Sequence, residues 1–350
     1  MSSSERETNL SLLVPGLLDA AGIDSASLPR RPNTLAALLS KADAEPFSAT
    51  DLAEGIAQLR PDLPAECLDA AAALRYLDDT GRRPSGYCLA ADPVHLQVGR
   101  EQVIMGRHQG MEITSAESAA LRELLEAELI RREARLEVIR PNHWYLFLEH
   151  PPQARFATGR NLGGQGIRDH MPSGPDAGPW RTLISDAQIL LHDCALNGAR
   201  AAQGKPPINS LWLWGGGMLA DNIDTSRHWR RVASDDPILR GLARLTGCEQ
   251  VSALPMDFEA DVITDDSLIV IDSIANPPPQ LGIEVWWQAL LDIDCKWLQP
   301  IAAALSEGKL ATLTLIPLDG QSYRITRRQL RRWWKRQRPI DYFMSARNRI

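Results

Sequence analysis

The fold is decided by one stretch of the sequence, Pro206-Pro207-Ile208-Asn209-Ser210-Leu211-Trp212-Leu213-Trp214-Gly215-Gly216-Gly217. An apolar run bounded by prolines and glycines is typical of a buried strand. Three consecutive glycines permit backbone dihedral angles that other residues avoid, or the close approach of another group. Residues 180–203, just upstream, have helical spacing. A long helix that leads into a buried strand predicts an α/β fold.

The same alternation continues along the chain. Strands are predicted over residues 87–90, 102–105, 136–139, 144–148, 250–254, 267–271 and 310–317, and long helices over 115–135 and 285–305 with a kink at Pro300. The N-terminal part differs, because residues 10–18 and 34–42 have helical spacing. We therefore predict an α/β protein with a mixed or mostly parallel sheet flanked by helices, preceded by an N-terminal helical region. Composition divides it into residues 1–85, 86–217 and 218–350.

Composition excludes several classes of protein. The chain has 350 residues, 44% of them hydrophobic and 23% charged, with a net charge of −6. This balance argues against a whole-molecule attraction to nucleic acid or to an anionic membrane. Five dispersed cysteines without a CxxC pair favour neither a disulfide framework nor a zinc site. The polar N-terminus lacks the order of a signal peptide, and no apolar run reaches the roughly 20 residues of a membrane span, so we expect a cytoplasmic protein.

Several polar residues are candidates for binding a small anion. Asn197 and Arg200 are three residues apart on a predicted helix face, and arginine offers a fork of donors suited to phosphate or carboxylate. Asp92 can orient the His95 imidazole, and a glycine turn can present backbone N–H groups to an anion. The predicted ligand-binding set is Asp92, His95, His192, Asn197, Arg200, Asn209, Gly215, Gly216 and Gly217. The alternative is that Asn197 and Arg200 brace the helix, and that Asp92 and His95 fix the turn at Pro93.

The sequence resembles the archaeal-type cofactor-independent phosphoglycerate mutases. The resemblance is sharpest over residues 186–217, where Cys194-Ala195-Leu196-Asn197 stands in place of a His-Pro-Val-Asn motif, and it extends more weakly over 87–320 through Asp92-Pro93. It implies a sheet like that of the alkaline phosphatase superfamily, with residues 86–217 corresponding to a substrate domain. Such mutases hold two divalent metals with Asp and His side chains and transfer phosphate through a serine.

Departures from this pattern bear on activity. The predicted strand ends at Ile271-Asp272-Ser273 and Pro317-Leu318-Asp319-Gly320 lack the expected histidines, and no histidine follows His228. Two-metal phosphoryl transfer needs several carboxylates and imidazoles that converge within a few ångström. We therefore predict no metal, no cofactor and no catalytic residue, and the balance is against an enzyme.

A second resemblance covers most of the chain. The motifs Asp92-Pro93-Val94-His95-Leu96, Arg140-Pro141-Asn142-His143-Trp144-Tyr145 and residues 188–192 and 209–215 resemble a proteobacterial family of RpfE-type regulatory proteins. This resemblance implies a regulatory protein and says little about its biochemistry.

The C-terminal segment is strongly basic. Residues 327–337 are predicted to form a helix, and the candidate contacts are Arg327, Arg328, Arg331, Arg332, Trp333 and Trp334. Cations interleaved with aromatic rings can bind nucleic acid, and a basic helix can bind an acidic protein. The alternative is that the tryptophans pin the helix to the sheet.

Three functions follow. The first is a non-catalytic regulatory or ligand-sensing protein on a mutase-like scaffold that binds a small anionic metabolite. The second is a metal-dependent phosphoryl-transfer enzyme with a divergent site. The third is a module that binds nucleic acid or an acidic protein through the C-terminal segment.

Overall fold

The computed structural model describes residues 8–19, 31–99, 102–106, 111–159, 166–221, 223–225, 229–258, 266–274 and 282–344. The chain forms two compact units. The first unit contains Met1–Leu63 and Asp224–Ile350, and the second unit contains Pro64–Ile223. The predicted division into residues 1–85, 86–217 and 218–350 places its boundaries elsewhere and stays a prediction.

The described residues form these strands in chain order: β1 (Asn9–Leu13), β2 (Asp43–Pro46), β3 (Tyr87–Val94), β4 (Leu96–Val98), β5 (Val103–Met105), β6 (Arg135–Arg140), β7 (His143–Leu148), β8 (Ser210–Gly217), β9 (Arg231–Ser234), β10 (Gln250–Ser252), β11 (Ser267–Val270), β12 (Thr312–Ile316) and β13 (Gln321–Thr326). The helices are α1 (Asn33–Lys41), α2 (Leu52–Leu59), α3 (Ala65–Asp69), α4 (Ala71–Thr80), α5 (Ser115–Ile130), α6 (Ala177–His192), α7 (Ala195–Ala202), α8 (Pro237–Leu245), α9 (Gly282–Ile293), α10 (Gln299–Glu307), α11 (Arg327–Leu330) and α12 (Ile340–Met344). None of these helices is both long enough and apolar enough to cross a bilayer.

A seven-stranded sheet forms the centre of the first unit, in the order β10-β9-β11-β1-β12-β13-β2. The first five strands are parallel, and β13 and β2 are antiparallel to their neighbours. The chain leaves β9 through α8 toward β10 and leaves β11 through α9 and α10 in the opposite direction. Right-handed crossovers in opposite directions place these helices on opposite faces of the sheet and leave a switch point between β9 and β11.

The second unit contains an antiparallel sheet in the order β6-β7-β3-β8 and a separate pair, β4-β5. Because side chains alternate between the faces of a strand, Leu89 and Ala91 of β3 pack with α6 on one face. Asp92 of the same strand points to the other face, where Arg75 of α4 lies. Both faces of this sheet are therefore covered by helices.

The α/β class with a mostly parallel sheet flanked by helices is confirmed, and three local predictions are corrected. Residues 9–13 form a central strand rather than part of a helix, since leucines at 10, 12 and 13 suit a strand buried between two neighbours. The predicted helix 180–203 is two helices, α6 and α7. The predicted helix 327–337 ends at Leu330. A π-helical stretch, Asp294–Leu298, joins α9 to α10 next to the expected kink at Pro300.

Candidate functional site

Asn197 holds together the break between α6 and α7. Its Nδ2 donates to the carbonyl oxygens of Leu191 and Ile208, both at 2.8 Å, and its Oδ1 accepts from the Ile208 N–H at 2.8 Å. The Leu191 carbonyl belongs to the last turn of α6, where carbonyl groups lack helical partners. Asn197 is 7% exposed, and these bonds occupy its amide. Its geometry is that of an internal brace.

Arg200 is buried in an ion pair. It is 1% exposed, and its Nη1 donates to Glu117 Oε1 at 2.8 Å and to the Glu112 carbonyl at 3.1 Å, while Nε donates to the Pro206 carbonyl at 2.8 Å. Burial raises the pKa of Glu117, but hydrogen bonds from Thr114 and Arg200 more than offset it, so the pKa lies below its usual value. The guanidinium therefore links the start of α5 to α7 and to the segment before β8.

Two of the other predicted polar residues, His95 and Asn209, contact backbone groups of the second unit. His192 ends α6, a different helix from the one that carries Asn197 and Arg200, and 82% of its side chain is exposed. Nδ1 of His95 lies 2.8 Å from the Pro207 carbonyl oxygen. Oδ1 of Asn209 accepts a hydrogen bond from the Leu96 N–H at 2.7 Å, and its Nδ2 donates to the Leu96 carbonyl at 2.8 Å. The backbone of a neighbouring strand would form the same kind of pair. Ligand binding by this set stays a prediction.

The glycine stretch accommodates protein backbone. Gly215 has φ +65°, and a Cβ added there would lie 2.8 Å from the Ala72 nitrogen. A Cβ at Gly217 would lie 2.7 Å from the Ala70 Cα, and one at Gly216 would lie 2.3 Å from the Tyr87 hydroxyl. The glycines thus let the start of α4 approach β8 closely. The close approach expected from the sequence is made by a helix of the same unit.

Asp92 is the centre of a buried polar cluster. Its carboxylate receives two hydrogen bonds from Arg75, at 2.6 and 2.9 Å, one from the Trp144 backbone at 3.2 Å and one from the Trp214 indole at 2.9 Å. Arg75 is fully buried, with its guanidinium carbon 4.7 Å from the ring centre of Tyr145. Burial lowers the pKa of Arg75, but the Asp92 charge raises it more, so Arg75 stays charged. Three of the sequence motifs therefore meet around one ion pair.

Sequence reasoning missed a second network next to it. Asp79 accepts hydrogen bonds from His143 Nδ1 and from the Tyr145 hydroxyl, both at 2.6 Å, and Arg140 lies at 2.9 Å. Burial raises the pKa of Asp79, and these partners lower it to a net value below its usual one. Burial also raises the pKa of Tyr145 strongly. In the sequence, the single charged residue Arg75 within the mostly apolar run 70–77 indicates that a buried charge lies in this part of the second unit.

The carboxyl ends of the central strands in the first unit are covered by apolar side chains. Val14 follows β1, Ile271 follows β11 and Leu318 lies just after β12, with exposures of 0%, 2% and 5%. Leu17 and Ile274 pack with the first two in the same core cluster. We call these five residues the apolar cap. Leu318 has φ +62°, a costly conformation for leucine that packing must hold in place.

Carboxylates lie around the apolar cap. Asp235 and Asp236 follow β9, Asp272 follows β11 and Asp319 follows β12. Burial raises the pKa of Asp236 and of Asp272, and each is raised further by a neighbouring aspartate. Burial raises the pKa of Asp319 as well. Three of these carboxylates accept backbone hydrogen bonds: Asp235 from Leu254 at 3.1 Å, Asp236 from Ile238 at 2.8 Å and Asp319 from Gln321 at 3.1 Å.

The described part of the chain contains no group of three or more His, Cys, Asp or Glu side chains placed to hold a metal ion. The apolar cap stands where the parallel strands of an α/β sheet usually present their ligand site. The five apolar side chains of the cap offer no metal ligands, so they do not fit the pair of divalent metals that the resemblance to the mutases implies.

Comparisons with known proteins give partial matches. No family model matches the chain. The 2,3-bisphosphoglycerate-independent phosphoglycerate mutase of Methanosarcina barkeri is 28% identical over 148 residues, which is 39% of this chain and 37% of that protein. A probable enzyme of the same name from Geobacter sulfurreducens is 26% identical over 164 residues, 42% of this chain and 41% of that protein. The chain therefore spans less than half the length of these curated relatives.

Two solved structures are similar at low identity. The cofactor-independent phosphoglycerate mutase from Thermoplasma acidophilum has a TM-score of 0.47 and 15% identity, with 91% of this chain and 90% of that chain covered. The PH0037 protein from Pyrococcus horikoshii has a TM-score of 0.45 and 12% identity, with 91% and 86% covered. The sequence matches support a distant relationship to cofactor-independent phosphoglycerate mutases. The RpfE-type assignment stays a prediction.

Proposed function

We propose that this chain is a non-catalytic regulatory protein built on a phosphoglycerate mutase-like scaffold. The observation that carries this proposal is the apolar cap. In open α/β sheets, ligands bind at the carboxyl ends of the strands, beside a switch point. Metal-assisted phosphoryl transfer requires polar ligands at that place. Val14, Ile271 and Leu318 are buried between the carboxylates there, and the described residues contain no group of three or more His, Cys, Asp or Glu side chains placed to hold a metal ion.

The polar residues of the second unit determine which contacts a bound anion would have to displace. The sequence predicts that several of these residues bind an anion. In the structure they bind the protein's own backbone and carboxylates. Asn197 is occupied by three hydrogen bonds, and Arg200 is paired with Glu117. A small anionic metabolite, the ligand class that we propose, would have to displace Glu117 to reach Arg200. Binding would then release the start of α5, which offers a physical route from ligand to conformational change.

Hydrolysis of a generic phosphomonoester tests the absence of catalysis. The chain is incubated with p-nitrophenyl phosphate and Mg²⁺, Mn²⁺ or Zn²⁺, alongside Asp272→Ala, Asp319→Ala and a matched control, Asp193→Ala. Asp193 is a suitable control because 95% of its side chain is exposed. We expect every sample to match the rate of the metal-only blank.

A different pattern would favour the phosphoryl-transfer alternative. Metal-dependent turnover that Asp272→Ala or Asp319→Ala abolishes and Asp193→Ala preserves would overturn the proposal. The raised pKa values of the carboxylates around the apolar cap make Asp272 and Asp319 the side chains to test.

A further inference from the structure

Two tryptophans stand out on the surface of the first unit. Trp333 is 87% exposed and Trp334 is 64% exposed, with ring centres 6.1 Å apart and ring planes at 87°. The expectation that these rings pin a helix to the sheet is therefore wrong. Large indoles are seldom left so exposed without a partner to cover them. Exposed arginines flank the pair in the sequence, and together they form what we call the Arg–Trp surface: Arg327, Arg328, Arg331, Trp333, Trp334, Arg336 and Arg338.

The backbone that carries the two rings is anchored on both sides. Before them, Arg332 binds Asp43 and donates to the Lys41 carbonyl at 3.1 Å. After them, Lys335 donates to the Ala42 carbonyl at 3.1 Å. The hydrogen bond from Arg332 is the main reason that the pKa of Asp43 is held well below its usual value. These contacts end the predicted helix and fix the two indoles in an outward position.

Charge is concentrated at this place. Residues 324–338 contain eight cations and no carboxylate, and because the whole chain has a net charge of −6, the remainder carries −14. Within the described residues, no carboxylate forms an ion pair with Arg327, Arg328 or Arg331. A cleft of about 320 Å³ adjoins the segment, lined in part by Arg31, Asn33, Gln337 and Arg338. The surface thus combines unpaired positive charge, exposed rings and an adjoining cleft.

We propose that the Arg–Trp surface binds single-stranded nucleic acid. Unpaired bases stack on aromatic side chains while arginines contact the phosphates, a combination that tolerates many sequences. An acidic peptide would satisfy the arginines but would leave two indoles without flat partners. The strongly negative remainder of the chain would repel a polyanion elsewhere and confine it to this surface. This inference is independent of the proposed absence of catalysis.

Fluorescence anisotropy tests the proposal on the full chain. The probe is a labelled oligothymidylate of roughly 20 nucleotides, which is longer than a typical single-strand site. The salt concentration is about 50 mM, at which contacts with phosphates are strong. Trp333→Ala with Trp334→Ala should weaken binding about tenfold or more through lost stacking. Arg327→Gln with Arg328→Gln and Arg331→Gln should reduce the slope of log affinity against log salt by about 2. Ile189→Ala, which removes a 73% exposed apolar side chain in the second unit, is the matched control and should leave binding unchanged.

Outcomes other than these would count against the proposal, provided that the variants fold normally. Because both indoles are exposed, the variants should keep the wild-type circular dichroism and melting temperature, so weakened binding would report on the surface. No binding by the wild type, or binding that the tryptophan variant retains, would overturn it. Displacement of the oligothymidylate by polyglutamate at equal charge concentration would assign the surface to an acidic protein instead.

Discussion

Replacing Glu117 by Gln tests whether Arg200 is an internal brace. Glutamine keeps the shape of the side chain and can occupy the same position of a capping box, which in the wild type joins Thr114 and Glu117 at the start of α5. The substitution therefore removes one charge and leaves the helix cap largely intact. Arg200, at 1% exposure, would keep only neutral acceptors.

The expected loss follows from the burial of the pair. Breaking a buried ion pair by removing one partner costs about 3–5 kcal/mol, since a buried charge is left uncompensated. Glu117 is 18% exposed and Arg200 retains two carbonyl acceptors, so we expect a loss at or just below the lower end of that range, about 2–3 kcal/mol. Glu123→Gln, on the exposed side of the same helix, should change the free energy of unfolding by less than about 0.5 kcal/mol.

Native-state hydrogen exchange, measured by mass spectrometry on peptides from β3 and β7, reports the opening free energy of the second unit alone. Because the folded pKa of Glu117 is lowered, the stabilisation is present above its unfolded pKa and is lost as pH falls through the folded value. The difference between wild type and Glu117→Gln should therefore shrink below about pH 4.3. Equal effects of Glu117→Gln and Glu123→Gln, or a difference that persists unchanged at low pH, would refute this account of Arg200.

Two further predictions concern the second unit. Asp92→Ala should destabilise the second unit by about 3–5 kcal/mol in urea unfolding. Arg75→Met combined with Asp92→Leu should destabilise it less than Asp92→Ala alone, because no unpaired charge is then buried. A larger loss of stability in the double variant than in Asp92→Ala would contradict a tightly coupled pair. Gly217→Ala should cost about 1–3 kcal/mol because the new methyl group meets the Ala70 backbone, while Gly198→Ala, with open space around it, should be neutral or stabilising; similar effects at both positions would show that α4 does not need the glycine.

Local patterns predicted the elements that local sequence determines. The run before the glycines belongs to strand β8, and the helix predicted from residue 115 is α5, which begins at Ser115 behind a capping box formed by Thr114 and Glu117. Apolar spacing and cap residues are sufficient signals for such elements.

Interactions between distant residues could not be predicted in this way. The helix predicted over 180–203 is interrupted because Cys194 is extended and Asn197 takes over the Leu191 carbonyl. Asp92 pairs with Arg75, 17 residues away on another element. The exposure of Trp333 and Trp334 depends on anchors from Asp43, far along the chain. In each case a tertiary contact overrides or completes the local signal.

The central claim is that the scaffold carries out no phosphoryl transfer. The most direct measurement is the rate at which the purified full chain converts 3-phosphoglycerate to 2-phosphoglycerate in the presence of each divalent cation. Chromatographic separation of the two esters gives this rate. We predict no conversion above that of the cation alone. Conversion that requires a cation, stops with a chelator and is lost in Asp272→Ala would contradict the account.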